Sequence, residues 1–136
     1  VQAWASKILE RRWLTLCSLC HNFSQLDPDQ HHQARIAAKK MRYNVETFAA
    51  LYEDKHAKSF LTALAALQDQ LGRERDLRIG MQLLRSFPQQ NRLFSFELGR
   101  IYGALELETT GFSSLSGDIW KHLAKSTLFW RSKKKQ

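Results

Sequence analysis

Residues 31–43 read HHQARIAAKKMRY, two histidines and four arginines or lysines in thirteen positions with no acid among them. With His32 as the zero of a 100° helical wheel, Arg35, Lys39, Arg42 and Glu46 fall within an arc of about 80°. Ala34, Ala38, Met41, Val45, Phe48 and Tyr52 gather on the far side. An apolar stripe opposite a polar row at this period predicts an amphipathic helix. Its start lies just upstream, in LDPDQ, where Asp27 suits the N-cap, Pro28 the first helical position and Gln30 the capping box. The helix is expected to run to about Tyr52, roughly 37 Å at 1.5 Å per residue.

The same period extends outward in both directions. A first helix is predicted over about residues 3–23, with Ala5, Leu9, Trp13, Leu16, Cys20 and Phe23 on one face and Lys7, Arg11, Ser18 and Asn22 on the other. A third is predicted over residues 57–71, with Phe60, Ala63, Leu64, Leu67 and Leu71 on its stripe and Gly72 ending it as a C′ residue. A fourth over residues 73–86 stops before Pro88. A fifth over residues 91–108 carries Gly99 and Gly103 on one side, where a neighbouring helix could approach closely. TTGFSSLSGD, residues 109–118, reads as a loop. A short last helix follows Asp118, with Ile119, Leu123 and Thr127, and the tail RSKKKQ reads as frayed. The only prolines are at 28 and 88, and no stretch alternates as a strand would. The expectation is all-α, a bundle of about five to six helices, with residues 1–136 forming a single helical domain.

Composition narrows the function. The chain has 136 residues, 43% hydrophobic, and a net charge of +8. That length supports a real core. The charge favours a polyanionic partner: nucleic acid, an acidic membrane face or another phosphate polymer. No apolar run approaches the ~18 residues of a membrane span. The chain starts at Val1, in what reads as a helix, and so reads as part of a longer polypeptide.

Like charges stacked at i, i+3 and i+4 repel by a few tenths of a kcal/mol per pair, and in the basic helix only Glu46 is placed to relieve them. A plain solvated face would intersperse Glu. The alternative is an anion track, since guanidiniums, an ammonium and an imidazole suit phosphate oxygens spaced along a polymer. Arg75, Arg78, Gln82 and Arg85 repeat the spacing of His32, Arg35, Lys39 and Arg42.

Other motifs carry less. Cys17–His21 reads CSLCH, the haem-attachment pattern. Both cysteines fall on or beside the apolar face of the first helix, so buried thiols are expected ahead of a zinc site with His31 or His32, or a haem. No G-x-G-x-x-G, P-loop or acidic metal cluster occurs. Asp69 lies opposite its helix's apolar stripe, and Asp76 reads as a cap or as an arginine's partner. The four tryptophans read as core rather than base-stacking platforms. Neither metal nor cofactor is expected.

His32-x-x-Arg35-Ile36-x-x-Lys39-Lys40-Met41-Arg42-Tyr43, followed by Glu46, resembles the signature helix of the CHAD family, the conserved-histidine α-helical domains. Leu67–Leu77, LQDQLGRERDL, is similar to that family's second motif, and Trp120 with Phe129-Trp130 to its C-terminal W…FW pattern. The order is the family's. Two departures stand out: His31 precedes the motif histidine where an apolar residue is usual, and Arg75 replaces an often neutral residue. The resemblance implies two related helical bundles with a basic groove between them, and inorganic polyphosphate as ligand. It also implies that this chain is the C-terminal half of such a domain, cytoplasmic and associated with polyphosphate granules. The adjoining half-domain or a CYTH-type triphosphatase would lie in the same polypeptide. On this reading the chain is not itself an enzyme, and other polyanions are possible partners. The expected polyphosphate-binding residues are His32, Arg35, Lys39 and Arg42, followed by Arg11, Arg75 and Arg78. A nucleic-acid-binding helical domain is the first rival reading; a metal-dependent phosphohydrolase is the second.

Overall fold

The computed structural model describes residues 1–52, 55–88 and 91–131. Five α-helices account for most of them: α1 (Gln2–Cys20), α2 (Pro28–Phe48), α3 (Lys55–Ser86), α4 (Arg92–Thr109) and α5 (Phe112–Ala124). Three short 3-10 turns, Phe23–Gln25, Ala49–Leu51 and Phe129–Arg131, join or follow them. Among the described residues there is no strand, and no helix is long and apolar enough to cross a membrane.

The predicted start of α2 is present in full. Asp27 Oδ1 accepts from the Gln30 backbone N–H at 2.8 Å, Gln30 Oε1 accepts from the Asp27 N–H at 2.9 Å, and Pro28 opens the helix. Two otherwise orphaned donors are thereby satisfied at the point where the chain must turn from α1 into α2.

The core lies among α1, α2 and the first half of α3, each packed on the next. The six apolar residues predicted for α1 are all buried, as are all five on the predicted stripe of α3. In α2, Ala34, Ala37, Ala38, Met41 and Val45 are buried. The small alanines let the helices approach. Met41, Leu64, Leu67 and Phe60, all fully buried, fill the space between them. The C-terminal segment closes the core with aromatics. Trp13 meets Trp120 at 5.6 Å between ring centroids, Phe60 meets Trp130 at 5.2 Å, and Phe129 meets Trp130 at 5.1 Å. Trp130 Nε1 donates to Glu10 at 2.8 Å, and Arg131 pairs with the same carboxylate. The hydrogen bond from Arg131 holds the Glu10 carboxyl below its ordinary range. Trp4 departs from the expectation for tryptophans: it is 60% exposed, with its edge against Phe48.

Several expected boundaries are corrected. Gly72 does not end a helix, because α3 runs through it for 32 residues, about 48 Å. Gly at C′ is a stop signal only when the chain has a reason to leave. Here Leu67, Gln70, Leu71 and Glu74 continue one buried face across it. Asp76 therefore lies inside a helix and caps nothing. TTGFSSLSGD is not a loop: only Thr110 and Gly111 separate α4 from α5, which begins at Phe112 and buries Ser116. Thr127 lies beyond α5 and is exposed. A Cβ placed on Gly99 or Gly103 would meet nothing within 4 Å, so no neighbouring helix approaches there. Of the tail RSKKKQ, residues 132–136 lie outside the described residues.

No residue of α3 after Glu74 is buried, and none of α4 is. The distal half of α3 thus extends beyond the core, with α4 packed back along it.

Candidate anion-binding groove

α2 and α3 are consecutive and antiparallel, which sets their side chains in register. Arg75 Nη1 donates to His32 Nδ1 at 3.0 Å. Arg35 Nε lies 4.0 Å from where a Cβ on Gly72 would stand. Arg42 Nη1 donates to Gln68 Oε1 at 3.3 Å, while its Nε donates to Glu46 at 2.9 Å. Moving along α2 toward its N-terminus thus means moving along α3 toward its C-terminus.

At the N-terminal end of α2 this register builds a groove of about 200 Å³, whose lining includes His32, Arg35, Arg75 and Arg78. Four of the seven residues expected to bind the anion therefore converge on one concavity. Lys39 is exposed, its ammonium 5.8 Å from the Tyr43 ring centroid. Arg42 is half-buried. Arg11 is not brought to this groove: it is exposed in a separate one along α1, beside Trp130 and Arg131.

The Arg75 hydrogen bond places the lone pair of His32 at Nδ1 and its proton at Nε2. The ring is exposed, so Nε2–H is left as a donor toward solvent or a bound anion. His31 also lines the groove, deeper and beside Glu74. Its Nδ1 lies 3.3 Å from Glu74 Oε2, out of line for a hydrogen bond, and its ring packs edge-on against Phe23 at 5.6 Å. Burial lowers the His31 pKa below 6.5; Glu74 opposes that shift and Arg78 adds to it.

Sequence reasoning missed the groove's floor. Glu74 is 6% exposed, accepts a close hydrogen bond from the Ser116 hydroxyl of α5, and accepts from Gln70 Nε2 at 3.4 Å. The carboxylate links α2, α3 and α5 beneath the cations. Its signal was legible: Glu74 continues the stripe of Leu67 and Leu71 at helical spacing once α3 is not broken at Gly72.

The cysteines face away from this chemistry. Cys20 is fully buried and Cys17 half-buried. Burial raises both thiols, Cys20 to about 12, which suits packing rather than ligation. Among the described residues no three His, Cys, Asp or Glu side chains gather as a metal site.

No curated protein and no solved structure matches the chain at a significant level. The family model of the CHAD domain matches residues 1–85, covering α1, α2 and nearly all of α3, and with them both rows of cations. Trp120 and Phe129-Trp130 lie beyond that match, although their rings complete the core it defines. With 85 of its 136 residues matched, the chain belongs to the CHAD domain family.

Proposed function

We propose that this chain binds inorganic polyphosphate in the groove between α2 and α3 and performs no chemistry itself. The observation that carries the reading is the convergence of His32, Arg35, Arg75 and Arg78 on one concavity. Its one acid, Glu74, is buried and engaged by Ser116 and Gln70. The family's general link to polyphosphate supports the choice of polymer. Arg35, Arg75 and Arg78 would each clamp phosphate oxygens with two parallel N–H donors, and His32 would donate from Nε2. Lys39 and Arg42 would add charge further along α2. Arg11, in its separate groove, would contribute only at a distance. In the same reading the chain works in the cytoplasm, near polyphosphate granules, beside a second helical half-domain or a CYTH-type triphosphatase in one polypeptide.

The test is a titration with long-chain polyphosphate across ionic strengths. Four to six neutralised phosphates predict a log–log slope of roughly −3 to −4. A slope near zero would remove the reading. One observation favours a second polyanion: Tyr43, beside Lys39, is 56% exposed and could stack on a base. Competition between polyphosphate and single-stranded DNA or RNA separates the two. Displacement of bound polyphosphate by stoichiometric single strand would favour nucleic acid.

A further inference from the structure

The groove between α2 and α3 uses neither Arg11 nor Trp4. Both lie on the solvent face of α1. Trp4, Lys7, Arg11, Leu14 and Ser18 recur at alternating steps of three and four, so they form one stripe about 21 Å long. All five are exposed. Burial of Ala5, Leu9, Trp13, Leu16 and Cys20 on the opposite side fixes this orientation. Trp4 and Leu14 are each more than half exposed, large apolar side chains that the core leaves out.

The stripe is cationic as well as apolar. Residues 1–26 contain a single acid, Glu10, and its carboxylate is occupied. Trp130 Nε1 donates to it at 2.8 Å and Arg131 Nε at 2.9 Å. Among the described residues neither Lys7 nor Arg11 has a carboxylate partner. Arg131 brings a third exposed cation to the groove that Lys7, Arg11 and Leu14 line.

We infer that this face is a peripheral contact for an anionic lipid surface. Trp4 and Leu14 would enter the interfacial layer, while Lys7, Arg11 and Arg131 meet the headgroup charge. An indole suits that layer because its body is apolar and its N–H finds polar partners. Trp4 and Leu14 stand about 15 Å apart along the helix axis, with both cations of the stripe between them. A bilayer offers apolar depth and negative charge at every point of such a face. An acidic protein segment would need both placed in register. No helix among the described residues is long and apolar enough to cross a membrane, so the contact is one of surface only. The inference is independent of the polyphosphate reading, since no residue of the stripe lines the groove between α2 and α3.

The test uses the 136-residue chain with vesicles of phosphatidylcholine alone and with about one third phosphatidylglycerol. Co-sedimentation gives affinity. Tryptophan emission and acrylamide quenching report on Trp4, because Trp13, Trp120 and Trp130 are buried. The expected result is binding to the anionic vesicles, at least about tenfold tighter than to phosphatidylcholine, with a blue shift and reduced quenching. Lys7→Ala and Arg11→Ala should each weaken binding about fivefold, the effect of one cation near such a surface. Trp4→Ala should weaken it about tenfold. Trp4→Phe keeps an apolar ring, so it should bind within about threefold and lose the emission change; it also serves should Trp4→Ala not fold, which thermal melts decide. Arg75→Ala removes the same charge from the phosphate groove and should leave vesicle binding within about twofold. Inorganic phosphate at matched ionic strength should not compete. Equal binding to both vesicles, or unchanged emission in the bound state, would overturn the contact. So would competition by inorganic phosphate, or a loss in Arg75→Ala as large as that in Arg11→Ala, either of which would put the lipid phosphates in the groove instead. Binding to neither vesicle would overturn it in favour of an acidic protein partner.

Discussion

Gly72→Ala tests the geometry on which the groove depends. A glycine inside a helix costs about 0.5–1 kcal/mol relative to alanine, through the backbone freedom lost on folding. Here the added methyl would meet only Arg35 Nε, at 4.0 Å, an ordinary van der Waals separation. No backbone conformation reserved for glycine is required, since residue 72 lies within α3. The substitution should therefore stabilise the chain by about 0.5–1 kcal/mol, raising Tm by about 2–4 °C for a chain of this size. Gly103→Ala in α4, where a Cβ meets nothing within 4 Å, is the control for the general effect of alanine in a helix. Differential scanning calorimetry measures both, and the polyphosphate affinity of Gly72→Ala should stay within about twofold of wild type. A fall in Tm for Gly72→Ala alone would show that residue 72 needs a backbone alanine avoids. α3 would then be two helices, and the alignment of Arg35, His32 and Arg75 would no longer follow.

Further outcomes follow from neighbouring residues. Met41→Asp places a carboxylate at a site with no exposure and should abolish the cooperative melt. Arg42→Ala should stay within about 0.5 kcal/mol of wild type, because its pair with Glu46 is largely solvated. If Met41→Asp melts normally, the assigned faces of α2 are wrong. His32→Ala and Arg75→Ala should lower polyphosphate affinity non-additively, since each removes the other's partner across 3.0 Å. Strict additivity in a double-mutant cycle would refute that coupling. Burial holds the His31 pKa below 6.5, so the unfolded chain takes up this proton first. The contribution of neutral His31 to stability is present in full above about pH 6.5 and declines as pH falls from there through its lowered folded value. His31→Gln should lack that decline in urea titrations, and parallel curves would count against it. Glu10 gives the second acid limb. Its carboxyl is held below 4.5 by Arg131, so its contribution is present above about pH 4.5 and lost as pH falls through the lowered value. Glu10→Gln should flatten the pH dependence of Tm in that range, and an unchanged profile would contradict the assignment.

What the sequence determined by itself was the part set by local chemistry and helical period. The capping box at Asp27 and Gln30 needs residues three apart, and it forms. The apolar faces of α1, α2 and the first half of α3 need only 3.6-residue spacing, and those faces are buried, except that Phe48 is only partly so and Tyr52, also partly buried, lies beyond the end of α2. His32, Arg35, Lys39 and Arg42 fall on the opposite side of α2 for the same reason. Of the three motifs that resembled the CHAD family, those in α2 and α3 lie within the residues the family model matches.

Only the tertiary structure decided which cations meet. Wheel positions say which way a side chain leaves its own helix. They do not give the register between helices, which long-range packing sets. That register brings Arg75 to His32 and leaves Arg11 in a different groove. It also overrode the local stop signal at Gly72: burying Gln70, Leu71 and Glu74 against neighbouring helices outweighs a glycine's preference of about 1 kcal/mol. The loop-like composition of TTGFSSLSGD yielded similarly, since Ser116 gains a buried carboxylate partner by becoming helical. His31 and His32 are adjacent and chemically identical. One faces Glu74 and the other Arg75 because a step of 100° on α2 carries the side chain from the groove's floor to its exposed rim.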